Sequence, residues 1–328
     1  MFSGKDLDCV VVGSCVVDVI ARPVPLEAAI GCGALVDTEP LRLTTGGIVS
    51  NASITLARLG LRAAAFTYLG DDEWAAVIRR RLAAEGVDTS AVATHAERGT
   101  SASVVLVDEA GERSFLHYAG AHRLLDKTAV LARLDMFARS RAMLIGYYPL
   151  FTRMLDDLPE VISTIRETGC LTALDAAGDG GSMEPLARVL PHLDFYLPSE
   201  KEAAHQTGSA NPRAMIEVFR EAGARGLVGI KCGERGAVVS PRPGEVFEVP
   251  AVAPPAPVVD TTGAGDAFCA GLLTGILRGM SPFEATRLAA ATGACCVTGI
   301  GATAAIETLE NTLELAGLTP GKPVADGR

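Results

Sequence analysis

The chain has 328 residues, of which 48% are hydrophobic and 21% are charged, a composition typical of a globular protein with a large core. Its 29 Lys and Arg residues against 39 Asp and Glu residues give a net charge of −10 at pH 7. Because nucleic acids and anionic membranes attract basic surfaces, this balance excludes both as non-specific partners. The length fits either two average domains or one large α/β domain.

Predicted strands and helices alternate along most of the chain. The first strand, at residues 9–12, is a short apolar run, as expected for a strand buried on both faces. A helix is predicted at residues 50–59, and a second one runs from a cap at Asp71 or Asp72 to residue 85. Alternation of this kind predicts a mostly parallel sheet with helices on both faces. The other predicted strands are residues 63–68, 143–145, 171–175, 195–197 and 227–231.

Two stretches interrupt this alternation. Residues 34–43 and 101–118 have the pattern of β-structure without intervening helices, and the second stretch contains a turn at residues 109–112. The segments on either side of that turn, 103–107 and 113–117, predict a hairpin.

We interpret these stretches as a small β-lid inserted into an α/β core. The lid segments are approximately residues 14–45 and 100–122, within a single domain that spans residues 1–328. Edge strands of the main sheet are the alternative. The tail, residues 319–328, is rich in Pro, Gly and charge, and we expect it to fray.

The strongest signal for function is the segment Val-Val-Asp-Thr-Thr-Gly-Ala-Gly-Asp-Ala-Phe at residues 258–268. Its β-branched residues lead into a glycine-rich turn, which leads into a helical pattern. Such a turn leaves backbone N–H groups unpaired at the positive end of a helix dipole, which favours an anion. A carboxylate beside a polyphosphate, here Asp266, makes chemical sense if it takes the proton from an attacking hydroxyl. On the local pattern alone, helix capping by Asp266 is an equal alternative.

This segment, followed by Ala-Gly-Leu-Leu, closely resembles the C-terminal signature of the ribokinase-like (PfkB) carbohydrate kinase family. The resemblance extends over roughly residues 8–310. It implies an α/β fold, namely a ribokinase-like three-layer sandwich with a mostly parallel central sheet and a small β-lid, and an ATP-dependent phosphotransferase. By position, it also implies that Gly263, Ala264 and Gly265 form an anion hole for the transferred phosphoryl group. Asp266 is then the catalytic base.

Two N-terminal motifs resemble the substrate-binding segments of the same family. The first is Gly-Gly-Ile-Val-Ser-Asn-Ala at residues 46–52, and the resemblance implies that Gly46, Gly47 and Asn51 contact substrate hydroxyls. A glycine pair lets a sugar lie against the backbone, and an amide offers both a donor and an acceptor. The second motif places Asp18 just beyond the first strand, where the family binds a sugar diol. N-capping by Asn51 and an ordinary turn role for Asp18 are the alternatives.

A further segment resembles the family's Asn-x-x-Glu region, which organises Mg²⁺ largely through water. It is Leu-Pro-Ser-Glu-Lys-Glu at residues 197–202, where Ser199 stands in place of the Asn. Because Mg²⁺ favours carboxylate and water oxygens, Glu202 is the implied anchor. A solvated helix face is the alternative for Glu200 and Glu202.

The resemblance also implies a nucleotide-flanking stretch, Ile-Lys-Cys-Gly-Glu-Arg-Gly-Ala, at residues 230–237. For Lys231, a plain charge at the end of a strand is the alternative. A monovalent cation, usually K⁺, is implied near Asp260. The residues implied to contact the nucleotide are Lys231, Gly233, Gly236, Thr262, Gly263 and Gly265.

Other nucleotide-binding motifs of α/β proteins do not fit the sequence. A dinucleotide-binding Gly-x-Gly-x-x-Gly after the first strand would require glycine at Cys15 and Asp18. The nearest P-loop candidate, at residues 317–322, is one residue too short. A non-catalytic sugar- or nucleotide-binding protein on the same fold is an alternative from another class, although the base and the glycines are intact.

The substrate stays open between a sugar or sugar derivative, which we favour, and a nucleoside, because adenosine-like nucleoside kinases share the fold and both signatures. The family's ribokinase branch commonly has Lys-Gly-Ala where Ile-Val-Ser stands at residues 48–50, which argues against ribose itself. On the lid, His117 and Tyr118 either stack on a substrate or pack the hairpin.

Location and partners follow from what the sequence contains. No apolar stretch is long enough to span a bilayer, and Asp6 and Asp8 interrupt any secretory signal. The eight cysteines are scattered without Cys-x-x-Cys pairs, so we expect reduced thiols and a cytoplasmic protein. The expected cofactors are ATP and Mg²⁺, with K⁺ implied by the resemblance. The resemblance also implies a small sugar-like substrate and, because relatives often dimerise through their lids, a homodimer formed through the lid.

Overall fold

The structure of the chain, a computed structural model, describes residues 4–27, 33 and 35–319. Its strands are β1 (Leu7–Val12), β2 (Val16–Ala21), β3 (Arg42–Gly46), β4 (Ala63–Leu69), β5 (Asp88–Thr94), β6 (Ser101–Val107), β7 (Arg113–Tyr118), β8 (Ser140–Ile145), β9 (Leu171–Leu174), β10 (Phe195–Tyr196), β11 (Leu227–Lys231), β12 (Ala237–Arg242) and β13 (Glu245–Val249). Its α-helices are α1 (Gly47–Arg58), α2 (Glu73–Ala84), α3 (Lys127–Leu131), α4 (Leu134–Ala138), α5 (Leu158–Glu167), α6 (Met183–Val189), α7 (Glu200–Thr207), α8 (Pro212–Glu221), α9 (Ala264–Leu277), α10 (Pro282–Cys296) and α11 (Leu309–Ala316).

The large sheet has nine strands in the order β13-β12-β11-β10-β9-β8-β1-β4-β5. Neighbouring strands are parallel from β11 across to β5, whereas β12 and β13 form an antiparallel hairpin at one edge. All residues of β1 are buried, as its continuous apolar run predicts for a strand covered on both faces. Because the strands are parallel, their carboxyl ends meet along one edge, where α/β proteins bind their ligands.

The helices form one layer on each face of this sheet. Alternate residues of β1 point to opposite sides, so that Val10 packs in the core beneath α3–α8 and Val11 in the core beneath α1, α2, α9 and α10. The predicted three-layer α/β sandwich is thereby confirmed. None of the helices in the described ranges has both the length and the apolar character that crossing a bilayer requires.

Four strands form a second sheet of their own, in the order β3-β2-β6-β7, which we call the lid sheet. Strands β2 and β6 are parallel, and the other neighbours are antiparallel. The predicted hairpin is confirmed as β6 and β7, and the alternative of edge strands in the main sheet is wrong. Asp18 lies in the middle of β2, where it pairs with Thr44 and Ser103, and not in a turn.

The sequence missed or misplaced some elements. Residues 35–41 of the predicted β-stretch are not strand but exposed irregular chain, and Pro40 in it cannot donate a ladder hydrogen bond. Ala34, part of the same stretch, lies outside the described residues, as do residues 28–32 of the first lid segment and 320–328 of the predicted tail. The edge strand β5 and the hairpin of β12 and β13 were not predicted.

Candidate active site

The glycine turn before α9 offers unpaired backbone donors. Gly263 has φ +79°, and a Cβ on it would collide with Ala302, so that only glycine fits. In the part of the chain that the structure describes, the N–H groups of Gly263 and Gly265 donate to no acceptor. The N–H group of Ala264, the third predicted member, donates to the carbonyl of Thr261 at 3.3 Å. Two free donors thus lie at the positive end of the α9 dipole, which favours an anion.

Asp266 lies in the first turn of α9 and is 2% exposed. Its Oδ2 accepts hydrogen bonds from Asn51 Nδ2 and Tyr147 Oη, each at 2.8 Å. Its Oδ1 accepts none from the described residues. Burial raises the pKa of Asp266, and the two hydrogen bonds and the positive charge of Lys231 oppose this rise. The carboxylate is therefore oriented by one oxygen, and the other can accept a proton from a ligand.

The capping alternatives for these two polar residues are wrong. The N-cap of α9 is Gly263, and no side chain caps that helix. Asn51 lies inside α1, whose N-cap is Gly46. Both side chains are therefore directed at each other and not at helix ends.

Tyr147 is a site residue that the sequence analysis did not single out. It follows β8 after one glycine, and its backbone has φ 60° and ψ 38°, a left-handed conformation that is uncommon for residues other than glycine. Its N–H group donates to the carbonyl of Asp175 at 3.1 Å, which helps to hold this conformation. Burial raises the pKa of the Tyr147 hydroxyl well above its ordinary value. The hydroxyl therefore remains a donor to Asp266.

A buried ion pair borders the glycine turn. Lys231 Nζ is 2.7 Å from Asp175 Oδ1, and it lies 3.3 Å from the position that a Cβ on Gly265 would occupy. Burial disfavours the charge of Lys231, but Asp175 outweighs it and raises the pKa of the ammonium, which is protonated at neutral pH. Burial raises the pKa of Asp175 to about 7, against the attraction of Lys231. Lys231, at the end of β11 and with a side chain that is 12% exposed, is thus a cation paired with Asp175 and more than a plain charge at the end of a strand.

The predicted sugar-binding residues lie where β1, the lid sheet and α1 meet. A Cβ on Gly46 would collide with the carboxylate of Asp18, and a Cβ on Gly47 would collide with Ser14. Burial raises the pKa of Asp18. Ser14 Oγ and Asn51 Oδ1 are buried and have no hydrogen-bond partner among the described residues. Buried polar atoms without partners cost free energy, so these two atoms are available for hydrogen bonds to a ligand.

An arginine of the lid sheet reaches across to the signature segment. Arg113 Nη1 is 2.9 Å from Asp260 Oδ1 and donates to Thr262 Oγ1 at 2.6 Å. Asp260 also accepts hydrogen bonds from the N–H groups of Thr262 and Gly301, at 2.8 and 2.9 Å. Burial favours protonation of Asp260, but these hydrogen bonds and Arg113 outweigh it and lower the pKa. Both oxygens of Asp260 therefore already have protein partners, and a K⁺ site there stays a prediction.

Beneath this bridge lies a cavity of about 300 Å³, which we call the lid cavity. His117 Nδ1 is 3.1 Å from Ser103 Oγ, in the cross-strand row that also contains Asp18. Tyr118, the next residue, lies on the opposite face of the lid sheet, so that of the two aromatic candidates only His117 faces the cavity side. The residues that line the lid cavity include Asp18, Thr44, Gly46, Arg113, Asp260, Thr262 and Gly301.

The implied magnesium and nucleotide residues have structural tasks as well. Ser199 Oγ accepts the N–H group of Glu202, and Glu202 Oε2 accepts that of Ser199 at 2.7 Å, which forms a capping box at the start of α7. A Cβ on Gly236 would collide with the carbonyl of Val249, so this glycine is required for the close approach of the two strands in the β12–β13 hairpin. Gly233 lies in a turn where a Cβ would meet no other atom. No cluster of three or more His, Cys, Asp or Glu side chains in the described ranges could hold a metal by itself.

Comparison with known proteins agrees with this site and fold. The model of the pfkB family carbohydrate kinases matches residues 6–309. A ribokinase from Haemophilus influenzae is 27% identical over 287 residues, which cover 86% of this chain and 90% of that protein. The structure of Arabidopsis thaliana ribokinase with ribose and ATP has a TM-score of 0.84 at 22% identity and covers 95% of this chain and 99% of its own. An E. coli structure with ATP and Mg²⁺ has a TM-score of 0.80 at 23% identity, with the same coverage. At these identities the solved structures show the fold.

Proposed function

Given that the chain belongs to the pfkB family of carbohydrate kinases, and is therefore an ATP-dependent sugar kinase, we propose that Asp266 is its general base. The carboxylate takes the proton from a substrate hydroxyl as that hydroxyl attacks the γ-phosphoryl group of ATP. One observation carries the proposal: Oδ2 of Asp266 is held by Asn51 and Tyr147, while Oδ1 accepts no hydrogen bond from the described residues. A carboxylate held in this way meets the hydroxyl without reorienting.

The phosphoryl group is bound at the glycine turn. The free N–H groups of Gly263 and Gly265 and the dipole of α9 stabilise the charge on the phosphoryl oxygens in the transition state. Lys231, beside Gly265, adds a full positive charge. Bound Mg²⁺ supplies further charge neutralisation at the phosphates. Glu202 fits a contact to it through water, because only one of its oxygens takes part in the capping box, and its charge reaches Asp175 and Asp266, whose pKa values it raises.

The sugar lies between the glycine turn and the lid sheet. Asp18 accepts hydrogen bonds from two adjacent hydroxyls, and hydrogen bonds to an ionised acceptor are stronger than those between neutral groups. Ser14 Oγ and Asn51 Oδ1 gain the partners that the free protein leaves them without. Gly46 and Gly47 keep the backbone close enough for a sugar to rest against it.

The lid sheet excludes water from the reaction. Arg113 and Asp260 connect the lid to the signature segment at 2.9 Å, which holds the lid against the core. Exclusion of water limits hydrolysis of ATP by water in place of the sugar.

The outer face of the lid sheet supports the expected homodimer. Leu43, Val19, Val104 and Leu116 form one cross-strand row, in which Leu43 is 50% and Leu116 is 63% exposed. A second copy of the chain would cover this apolar row. Light scattering of the wild-type chain is then expected to give a dimer, and that of Leu116→Glu a monomer. A wild-type monomer, or a dimer that survives the substitution, would argue against this interface.

The test of the proposed base is ADP release from Mg-ATP across a panel of sugars, sugar acids and nucleosides. Asp266→Asn is expected to lower kcat by about 10²–10⁴, the usual contribution of general-base catalysis, while calorimetry shows nearly unchanged substrate binding. Asp156→Asn, a surface change with an exposed side chain, serves as the matched control.

Three outcomes of this ADP-release assay would argue against parts of the proposal. Near-normal turnover by Asp266→Asn removes this residue from its role. A nucleoside that is turned over in place of every sugar favours the nucleoside-kinase alternative. Silence across the panel, from folded protein that binds ATP, points to an unusual substrate outside the panel or to a binding protein on the kinase fold.

A further inference from the structure

A second cavity, of about 420 Å³, lies between the lid sheet and helix α2. Three arginines line it: Arg42 from the start of β3, and Arg80 and Arg81 from α2. We call it the arginine pocket. No Asp or Glu is among the described residues that line it. In a chain with a net charge of −10, such a concentration of positive charge is local and specific.

The charges of this pocket are only partly compensated. Arg81 forms an ion pair with Glu85 at 3.1 Å, one turn further along the chain. The side chains of Arg42 and Arg80, both exposed, form no ion pair or hydrogen bond with any residue that the structure describes. Guanidinium groups present planar forks of donors that match phosphate and carboxylate oxygens. The pocket therefore has two such forks without a protein acceptor.

The arginine pocket adjoins the lid cavity. The two share four lining residues, Ile20, Thr44, Thr45 and Ile300, and the lid cavity also contains Asp18 and Gly46. A ligand whose sugar ring lies at Asp18 can thus extend past Thr44 toward Arg42. Arg42 belongs to the lid sheet, whereas Arg80 and Arg81 belong to helix α2 of the core. An anion bound by all three would therefore bridge the lid sheet and the core.

We propose that the arginine pocket binds the anionic group, phosphate or carboxylate, of a small-molecule ligand. The placement of a sugar beside the pocket rests on the proposed function, whereas the pocket's affinity for an anion does not. The anion has two sources: the far end of the acceptor sugar itself, or a separate effector that bridges lid and core. In either case it relieves the repulsion between Arg42 and the two arginines of α2.

The experiment is calorimetric titration with inorganic phosphate, fructose 6-phosphate and gluconate, with fructose as the neutral control. The protein is the full chain as wild type, as Arg42→Gln/Arg80→Gln, and as Arg153→Gln, which removes a charge from an exposed residue that lines neither cavity. Binding of at least one anionic probe is expected to weaken about tenfold or more in the double variant, the loss typical of charge-assisted hydrogen bonds, and not in Arg153→Gln.

Asp18→Asn separates the two sources. If the anion belongs to the acceptor, this variant also weakens binding of the anionic sugar, and that sugar stimulates ADP release by the wild type. If the anion belongs to an effector, Asp18→Asn leaves its binding unchanged, and the anion lowers the KM of a neutral sugar.

The proposal is overturned if no anionic probe, inorganic phosphate at millimolar concentration included, binds the double variant more weakly than Arg153→Gln. ATP binding, measured on the same samples, shows that each variant is folded. If this inference is wrong and the proposed function is right, ADP release still depends on Asp266. If the proposed function is wrong and this inference is right, ADP release does not depend on Asp266, but anion binding still depends on Arg42 and Arg80.

Discussion

The substitution Tyr147→Phe tests how the base is held. It removes one hydroxyl that donates to Asp266 Oδ2 at 2.8 Å and keeps the ring that occupies the same space. The hydrogen bond favours the ionised form of Asp266, in opposition to burial, which raises its pKa. Because a general base must be unprotonated, loss of this hydrogen bond is expected to move the acid limb of the pH profile to higher pH.

The magnitude follows from the burial of the carboxylate. A hydrogen bond to a charged group contributes about 1.5–3 kcal/mol, and one pKa unit corresponds to about 1.4 kcal/mol. Asp266 is 2% exposed, so water cannot replace the lost donor, and Asn51 remains as the only other partner of Oδ2 among the described residues. We therefore expect the acid limb to shift upward by about one to two pH units.

The assay is kcat/KM for ADP release as a function of pH, measured on wild type, Tyr147→Phe and Tyr148→Phe. The last variant is a matched control, because the Tyr148 hydroxyl is also buried but donates to the carbonyl of Gly180 at 2.7 Å and not to Asp266. It is expected to lose stability and to keep the wild-type profile. An acid limb that stays in place in Tyr147→Phe, or that moves equally in both variants, would refute this account of the base.

Three further substitutions test the other parts of the site. Asp18→Ala is expected to raise the KM for the sugar by about tenfold or more and to leave ATP affinity unchanged; equal loss for both ligands in calorimetry would instead indicate a folding defect. Lys231→Met leaves the buried Asp175 unpaired and is expected to lower stability by about 3–5 kcal/mol and to lower kcat. Adding Asp175→Asn should recover stability in denaturant unfolding but not kcat, and recovery of both would limit Lys231 to a structural role. Gly263→Ala, at φ +79°, is expected to abolish turnover, which near-normal ADP release would contradict.

The residues of the glycine turn could be predicted because their chemistry is contained in a contiguous motif. Glycines before a helix and a carboxylate in its first turn are visible in residues 263–266 without any knowledge of the fold. The position of Asp18 was harder to predict. It interrupts the apolar run of β2, and the sequence placed it only just beyond the first strand, with an ordinary turn as the alternative, whereas the structure has it at the centre of a lid strand.

Tyr147 and Arg113 could not be assigned to the site in the same way. Each lies more than 100 residues from its partner in the chain, Asp266 for Tyr147 and Asp260 for Arg113, and only the order of the strands brings them together. A weaker signal was present for the residues at strand ends, because Tyr147 and Asp175 follow two neighbouring parallel strands, whose carboxyl ends meet at the same edge.

The charges around Asp266 explain how a carboxylate can lie beside a phosphate site at all. A lone buried carboxylate would be protonated or would repel the phosphate, and burial does raise the pKa of Asp266. Two neutral donors hold one of its oxygens, and the ammonium of Lys231 lies next to Gly265 in the glycine turn. Asp175 in turn keeps that ammonium charged. The proposed base can therefore stay ionised beside the proposed phosphate site, because the positive charge of Lys231 favours both anions.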